Sequence, residues 1–235
     1  IYSRRDSFKA TMQAEIITIG DELLIGQVVD TNSAWLGRTL GEDGIKVTQI
    51  TSVQDDPNQI MRTVNEALAR VSIVLVTGGL GPTRDDITKH TLAELFGMKL
   101  VRDEQVYETV RRQLAVRGIA FNELNQEQAL VPDGCTVLPN RNGTAPGMWF
   151  ERGGKVLVSM PGVPFEMKAL VTDEVLPRLR THFSLHANVH RTAITFGLAE
   201  SILAERIAPW EAALPANLRL AYLPSALCIR LRLSA

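Results

Sequence analysis

The central segment of this sequence is Val74-Leu-Val-Thr-Gly-Gly-Leu-Gly-Pro-Thr-Arg-Asp-Asp86, where an apolar run meets a glycine-rich turn and two carboxylates. The run from Ile73 to Val76 is short and rich in β-branched residues, which is typical of a strand buried on both faces of a parallel sheet. The next residues, Ile87 to Phe96, have helical periodicity and precede Gly97, so they predict a helix. The order strand, turn, helix predicts an open α/β sheet, in which ligands bind beyond the carboxyl ends of the strands.

The turn carries Gly78, Gly79 and Gly81, which can adopt φ > 0 and allow a ligand to approach the backbone. Successive N–H groups of such a turn can converge on one anion. A Rossmann fingerprint would need a third glycine where Arg84 stands, and the Gly-Lys-Ser/Thr of a P-loop is absent from the sequence. The turn therefore predicts a phosphate site, but neither hydride transfer nor P-loop nucleotide hydrolysis.

Two interpretations are open for the adjacent carboxylates Asp85 and Asp86. One of them can be the N-cap of the following helix, which is a purely structural role. Two anions beside a bound phosphate would repel it, however, unless a cation lies between them, and a divalent metal is the simplest such cation. We therefore predict Asp85 and Asp86 as metal ligands.

Composition limits the other functional classes. The 235 residues are 45% hydrophobic with a formal net charge of −1, as expected for a globular protein with one large and one small domain. Balanced charge argues against nucleic-acid binding, and no apolar run approaches the roughly 20 residues of a membrane span. The two cysteines, Cys135 and Cys228, are far apart in sequence, which fits a reducing cytoplasm better than a disulfide framework. We predict a cytoplasmic protein without membrane or nucleic-acid partners.

Further polar residues follow other predicted strands. Asp21 and Glu22 come after the first strand, Glu15 to Ile19, and Asn32 begins the next helix. These residues should lie at the same edge of the sheet as the glycine turn, although each can instead serve as a turn or cap residue.

A second glycine-containing turn, Pro161-Gly-Val-Pro-Phe-Glu-Met167, follows the predicted strand Lys155 to Met160. Pro164 and Glu166 suit the start of a helix on structural grounds alone. Two such turns at neighbouring strand ends could nevertheless hold the two phosphates of one diphosphate.

Four motifs in this order resemble the competence/damage-inducible protein CinA family, over Ala14 to Ala235. They are Ala14-Glu-Ile-Ile-Thr-Ile-Gly-Asp-Glu-Leu-Leu24, Thr77-Gly-Gly-Leu-Gly-Pro-Thr-Arg-Asp-Asp-Ile-Thr88, Asn140-x-x-Gly-Thr-Ala-Pro-Gly147 and Pro161-Gly-Val-Pro-x-Glu-Met167. The resemblance implies a three-layer α/β/α molybdopterin-binding-like domain at 14–183, after an extension at 1–13. It also implies a small KH-like α+β domain at 184–235, in which the sequence lacks a Gly-x-x-Gly loop and RNA binding is not expected.

The resemblance further implies metal-dependent hydrolysis of a nucleoside diphosphate sugar, with ADP-ribose converted to AMP and ribose 5-phosphate, and a homodimer. The expected cofactor is Mg²⁺, Mn²⁺ or Co²⁺, and the expected catalytic residues are Asp86, supported by Asp85 and Glu166. The residues expected to bind the nucleotide diphosphate are Asp21, Glu22, Asn32, Gly78, Gly79, Gly81, Thr83, Arg84, Asn125, Gly143, Thr144, Gly147, Pro161 and Gly162.

Two other functions use the same scaffold. One is a molybdopterin-binding protein of molybdenum-cofactor biosynthesis, and the other is a nucleotide-binding module without catalysis, since a fold alone does not establish an activity. Many CinA proteins continue into a nicotinamide mononucleotide amidohydrolase domain. The chain as given is expected not to deamidate that substrate.

Overall fold

The structure is a computed structural model that describes residues 12–83, 85–185, 190–225 and 227–234. The described residues form two compact units, one lying within 1–41 and 45–185 and the other within 42–44 and 186–235. The extension predicted at 1–13 lies outside the described residues except for Met12 and Gln13. The domain limits at 14–183 and 184–235 stay a prediction.

The first unit alternates strands and helices along the chain. Its elements are β1 (Gln13–Ile19), α1 (Asp21–Leu24), α2 (Thr31–Glu42), β2 (Lys46–Val53), α3 (Pro57–Arg70), β3 (Ile73–Thr77), α4 (Thr88–Phe96), β4 (Leu100–Arg102), α5 (Glu104–Val116), α6 (Glu123–Glu127), β5 (Leu130–Pro132), β6 (Thr136–Leu138), β7 (Gly147–Arg152), β8 (Lys155–Met160), α7 (Pro164–Leu170) and α8 (Leu176–Phe183).

Six strands form the main sheet in the order β2-β1-β3-β8-β7-β6. The first four run parallel, whereas β7 is antiparallel to both β8 and β6. Parallel strands present their carboxyl ends at one edge of the sheet, so the segments that follow β1, β3 and β8 are neighbours.

The sheet is covered on both faces. Ile16 and Leu75 belong to one buried cluster with side chains of α2, α7 and α8, and their neighbours Ile17 and Val76 belong to a second cluster with side chains of α3 and α4. Successive side chains of a strand point to opposite faces, so this division gives three layers. The predicted α/β/α architecture is confirmed.

A helix begins at Pro164, as predicted. It runs through a π-helical turn at Val171–Val175 into α8 and ends at Phe183. The short pair β4 and β5 was not predicted, because three-residue strands are too short to show a hydrophobic period.

The second unit has the element order β-α-β-β. Its elements are β9 (His190–Thr195), α9 (Glu200–Ala212), β10 (Arg219–Pro224) and β11 (Ile229–Ser234). The three strands form an antiparallel sheet in the order β10-β11-β9, and Tyr222 Oη donates to Glu211 of α9 at 2.7 Å. This arrangement confirms the small α+β unit. Within the described ranges, no helix is long and apolar enough to cross a membrane.

Candidate functional site

A cavity of about 470 Å³ lies where the segments after β1, β3 and β8 meet. Both predicted glycine turns contribute to its wall, together with residues from the ends of α5 and α6 and from the 143–145 segment. The predicted site residues that line it are Glu22, Gly78, Gly79, Gly81, Asp85, Asp86, Gly143, Thr144, Pro161, Gly162 and Glu166.

The first turn is built from close backbone contacts. Gly78 and Gly79 have φ values of 114° and 64°, and a Cβ on Gly78 would lie 2.1 Å from the Ile19 carbonyl oxygen. The Gly78 N–H donates to the Met160 carbonyl at 3.1 Å, so this one residue packs against the ends of both neighbouring strands. Glycine is therefore required here by the fold itself.

Thr83 holds the carboxylates of the first turn. The Thr83 N–H donates to Asp86 Oδ2 at 3.0 Å, and the Thr83 hydroxyl also donates to this oxygen. Hydrogen bonding to the same Thr83 side chain, and then to the backbone, keeps the pKa of Asp85 below its ordinary value. A hydroxyl donates one proton at a time, so the two carboxylates compete for it.

Neither carboxylate caps the following helix. Ile87 is the N-cap residue of α4, and no side chain makes a capping hydrogen bond there. The predicted alternative that Asp85 or Asp86 is an N-cap is therefore wrong, because the carboxylates face the turn that precedes the helix. Arg84 lies outside the described residues.

Asp55 is a cavity residue that the sequence did not indicate. Burial raises its pKa, the charges of Asp21, Glu22 and Asp86 raise it further, and a hydrogen bond from the Asp21 backbone opposes them. The next residue, Asp56, is the N-cap of α3, since its side chain accepts the Gln59 N–H at 2.8 Å.

Negative charge dominates the described lining. The carboxylates are those of Glu22, Asp55, Asp85, Asp86 and Glu166. Arg117 is the cation among the described lining residues, and its Nη2 donates to the Asn142 carbonyl at 3.0 Å. An anionic ligand would therefore need additional positive charge in this cavity.

No group of three or more His, Cys, Asp or Glu side chains among the described residues is arranged to hold a metal ion. Mg²⁺ commonly takes only one or two protein carboxylates, with water and substrate phosphates completing its shell. Asp85 and Asp86 are adjacent carboxylates of this kind on the cavity wall. Their role as metal ligands stays a prediction.

The second turn lies directly against the first. A Cβ on Gly162 would be 3.4 Å from Gly78 Cα. Asn32 Nδ2 donates to the Gly162 carbonyl at 2.8 Å, and Thr77 Oγ1 donates to the Pro161 carbonyl at 2.9 Å. Asn32 thus supports the turn from below and does not line the cavity.

Asn140 connects Glu166 of the second turn to the neighbouring wall. Its Nδ2 donates to Glu166 Oε2 at 2.7 Å, and its Oδ1 accepts the Asn142 and Gly143 N–H groups, both at 3.0 Å. A smaller cavity of about 170 Å³ lies on the other side of this wall, and Gly143 and Thr144 line both cavities.

Gln128 is a second lining residue that was not predicted, although it belongs to the Asn125-x-x-Gln motif. Its side chain is buried, and Oε1 has no hydrogen-bond partner among the described residues. Lys89 fixes the preceding backbone, since its Nζ donates to the Glu127 carbonyl at 2.7 Å. Burial lowers the pKa of Lys89 to about 8, and the charge of Glu127 opposes this shift.

Four other predicted residues stand outside the lining. Asn125 forms a capping box with Asn122 at the start of α6, and Asp21 begins α1. Thr83 acts through the carboxylates described above, and Gly147 lies in β7, where a Cβ would be 2.5 Å from Leu170 Cδ2. The structure thus places Gly147 in the packing of the sheet, away from the cavity.

The chain is similar to a known protein family and to several curated proteins. A family model described as "Probable molybdopterin binding domain" matches residues 15–181. A CinA-like protein of Cytophaga hutchinsonii is 50% identical over 221 residues, which cover 94% of this chain and 53% of the relative. A CinA-like protein of Flavobacterium psychrophilum is 47% identical over 225 residues, covering 95% and 54%. The chain spans about half the length of these curated relatives.

Solved structures show the same fold. The protein CinA from Thermoplasma acidophilum is 36% identical with a TM-score of 0.64, and the match covers 69% of this chain and 95% of that chain. A molybdopterin biosynthesis protein from Mycobacterium abscessus is 17% identical with a TM-score of 0.50, covering 74% and 96%, and this likeness concerns the fold alone. The chain belongs to the molybdopterin-binding-domain family and is, as its four motifs predicted, a member of the CinA-like proteins.

Proposed function

We propose that this chain binds molybdopterin, or a phosphorylated pterin of similar size, in the cavity between the two glycine turns. The observation that carries the proposal is the meeting of both turns and Arg117 on one cavity of about 470 Å³. Small-molecule sites in proteins typically enclose about 300–1,000 Å³.

The described residues offer two kinds of support for a phosphate. Backbone N–H groups of glycine turns can converge on an anion. The first turn of α7, which contains Glu166, also lines the cavity next to Gly162, and a helix amino terminus favours negative charge. A phosphate at the junction of the turns would therefore find donors from both sides.

The family description favours a pterin over other phosphorylated ligands, because the matching model is that of a molybdopterin-binding domain. The matched residues, 15–181, contain all of the described cavity lining. Since the chain spans about half of its curated relatives, this proposal concerns the domain and not a whole protein.

A second candidate function is metal-dependent hydrolysis of ADP-ribose to AMP and ribose 5-phosphate. The observation that favours it is the group of five carboxylates on the cavity, which a simple phosphate-binding pocket would not need. Asp85 and Asp86 would hold a divalent cation, Mg²⁺, Mn²⁺ or Co²⁺, with Glu166 across the cavity. The cation would neutralise the diphosphate and lower the pKa of a bound water.

Titration calorimetry with molybdopterin and with ADP-ribose, each with and without Mg²⁺, separates the candidates. Our proposal predicts micromolar or tighter binding of molybdopterin. Failure of molybdopterin to bind at millimolar concentration would refute the proposal. Release of AMP from ADP-ribose with Mg²⁺, Mn²⁺ or Co²⁺, but not without metal, would establish the second candidate instead.

We also propose that the protein is a homodimer, on the resemblance to CinA proteins and the presence of a small second domain. Sedimentation velocity at micromolar concentration tests this directly, and a monomer would exclude it.

A further inference from the structure

Asn140 uses the whole hydrogen-bonding capacity of its side chain within one wall of the cavity. Nδ2 donates to the Ala145 carbonyl at 2.9 Å and to Glu166 Oε2 at 2.7 Å, while Oδ1 accepts the N–H groups of Asn142 and Gly143. An amide group has two donor hydrogens and two acceptor lone pairs. The side chain is buried, so none of these four contacts is exchanged easily for water.

The four contacts fix which way the amide faces. Two backbone N–H groups require the oxygen on one side, and a carbonyl with a carboxylate requires the nitrogen on the other. A side chain of this length must therefore accept on one side and donate on the other, and only asparagine does both. An ionised aspartate would place an acceptor oxygen against the Ala145 carbonyl and Glu166 Oε2, which are themselves acceptors.

The Glu166 carboxylate is also in close contact with the backbone of Gly143. A Cβ on Gly143 would lie 1.9 Å from Glu166 Oε2, so the carboxylate packs directly on the Gly143 backbone. Asn140 and Gly143 therefore hold the Glu166 carboxylate in place.

We infer that Asn140 is the positioning residue for this wall of the cavity, acting through Glu166 and the 142–145 backbone. Its importance for ligand binding rests on the proposed function, whereas its effect on Glu166 does not. The charged groups around it are Glu166 from α7, Arg117 at the end of α5, Asp103 across the smaller cavity, and Arg141 beside it in the chain.

Asn140→Asp tests the inference without any ligand. The introduced carboxylate would face Glu166 Oε2 and the Ala145 carbonyl, an arrangement that is favourable only with a shared proton. A carboxyl pair whose pKa is raised by folding stabilises the protein at low pH and loses that contribution as pH rises. Relative to wild type, the unfolding constant in urea should therefore increase about tenfold more at pH 8 than at pH 5.

Asn65→Asp is the matched control, because Asn65 is exposed on α3 and the substitution adds the same charge. Its effect should be nearly independent of pH. In the double variant Asn140→Asp/Glu166→Gln, the introduced amide can donate to the introduced carboxylate, so the pH dependence should shrink to that of the control. An equal pH dependence in Asn140→Asp and Asn65→Asp, or one that Glu166→Gln leaves unchanged, would overturn the inference.

If Asn140→Asp does not fold at pH 8, its folding at pH 5 and the folding of the double variant Asn140→Asp/Glu166→Gln test the inference instead. Recovery of the fold at pH 5, or at pH 8 on adding Glu166→Gln, supports the inference. Absence of folding in both variants at both pH values overturns it.

A ligand arm uses calorimetry with molybdopterin at pH 7.5. Asn140→Asp should weaken binding about tenfold or more, and Asn65→Asp should leave it unchanged. If the wild type itself does not bind, the proposed function fails, whereas the urea measurements still decide the role of Asn140.

Discussion

The two glycine turns reach the same cavity by different routes. The turn after β3 is fixed by backbone packing and a short-range hydrogen bond, since Gly78 and Gly79 take positive φ, a Cβ on Gly78 would meet the Ile19 carbonyl, and Thr83 holds Asp86 three residues away. The turn after β8 has no positive φ at Gly162, and its carboxylate, Glu166, is held by Asn140, which is 26 residues earlier.

This difference separates a turn that is fixed by backbone packing from a turn whose carboxylate is held by a distant side chain. Glycine conformation and close backbone contacts shape the first turn, so substitutions of its glycines should mainly affect folding. The second turn depends on contacts with other segments, so its substitutions should affect the ligand more than the fold.

The largest expected effect is that of Gly78→Ala on stability. Positive φ costs an L-residue about 1–2 kcal/mol, and a Cβ at 2.1 Å from the Ile19 carbonyl adds a backbone clash, so we expect a loss of roughly 3 kcal/mol or more. Gly97→Ala is the control, because Gly97 has φ 68° with nothing within 4 Å of a Cβ, and it should lose only about 1–2 kcal/mol. Urea unfolding measures both. Equal losses of stability in the two variants would show that the Ile19 carbonyl does not exclude a Cβ at position 78.

Asp86→Asn should affect metal-dependent binding far more than folding. The variant keeps an oxygen for the two Thr83 donors, so the stability loss should be within about 1 kcal/mol. If Asp86 holds a cation, Mg²⁺ should no longer strengthen the binding of ADP-ribose to the variant. The rate of AMP release should also fall, because the activation free energy rises by several kcal/mol when the charge of the metal is lost. Asp85→Asn shows whether the neighbour shares this role. An unchanged response to Mg²⁺ in both variants would place the metal elsewhere.

Gly162→Ala tests the second turn. A Cβ there would lie at ordinary contact distance, 3.4 Å, from Gly78 Cα, and φ is not positive, so stability should change by less than about 1 kcal/mol. The added methyl group occupies the junction of the turns, and molybdopterin affinity should fall about tenfold. A variant that is strongly destabilised, or that binds as wild type does, would remove the contrast between the turns.

The smallest expected effect concerns Asp55 and pH. Burial and neighbouring carboxylates raise its pKa in the folded protein, so its contribution to stability is present at low pH and is lost as pH rises through the raised value. Asp55→Asn removes this loss and keeps an acceptor for the Asp21 N–H. The variant should melt higher than wild type at pH 8, with a smaller difference at pH 4. A difference that grows toward pH 4 would contradict the assignment.

Local patterns in the sequence predicted much of the fold. The apolar run of β3 and the helical period of α4 before Gly97 each depend on residues within one element, and each was found as predicted. The π-helical turn at 171–175 and the paired strands β4 and β5 were not, since neither has a distinctive short pattern.

The same limit applies to the cavity. The sequence indicated both glycine turns because a glycine directly after a strand typically marks a tight turn or a close approach to the backbone. It did not indicate Asp55, Gln128 or the bond between Asn140 and Glu166, because these residues become neighbours only when the β1, β3 and β8 ends and α6 come together.

The most direct test of the proposed function follows the glycine amides of both turns during a titration with molybdopterin. In ¹H–¹⁵N NMR spectra, our account predicts that the amides of Gly78 and Gly81 in the first turn shift together with that of Gly162 in the second, with one common dissociation constant. Shifts confined to a single turn, or absent from both at saturating ligand, would contradict the claim that the two turns form one binding site.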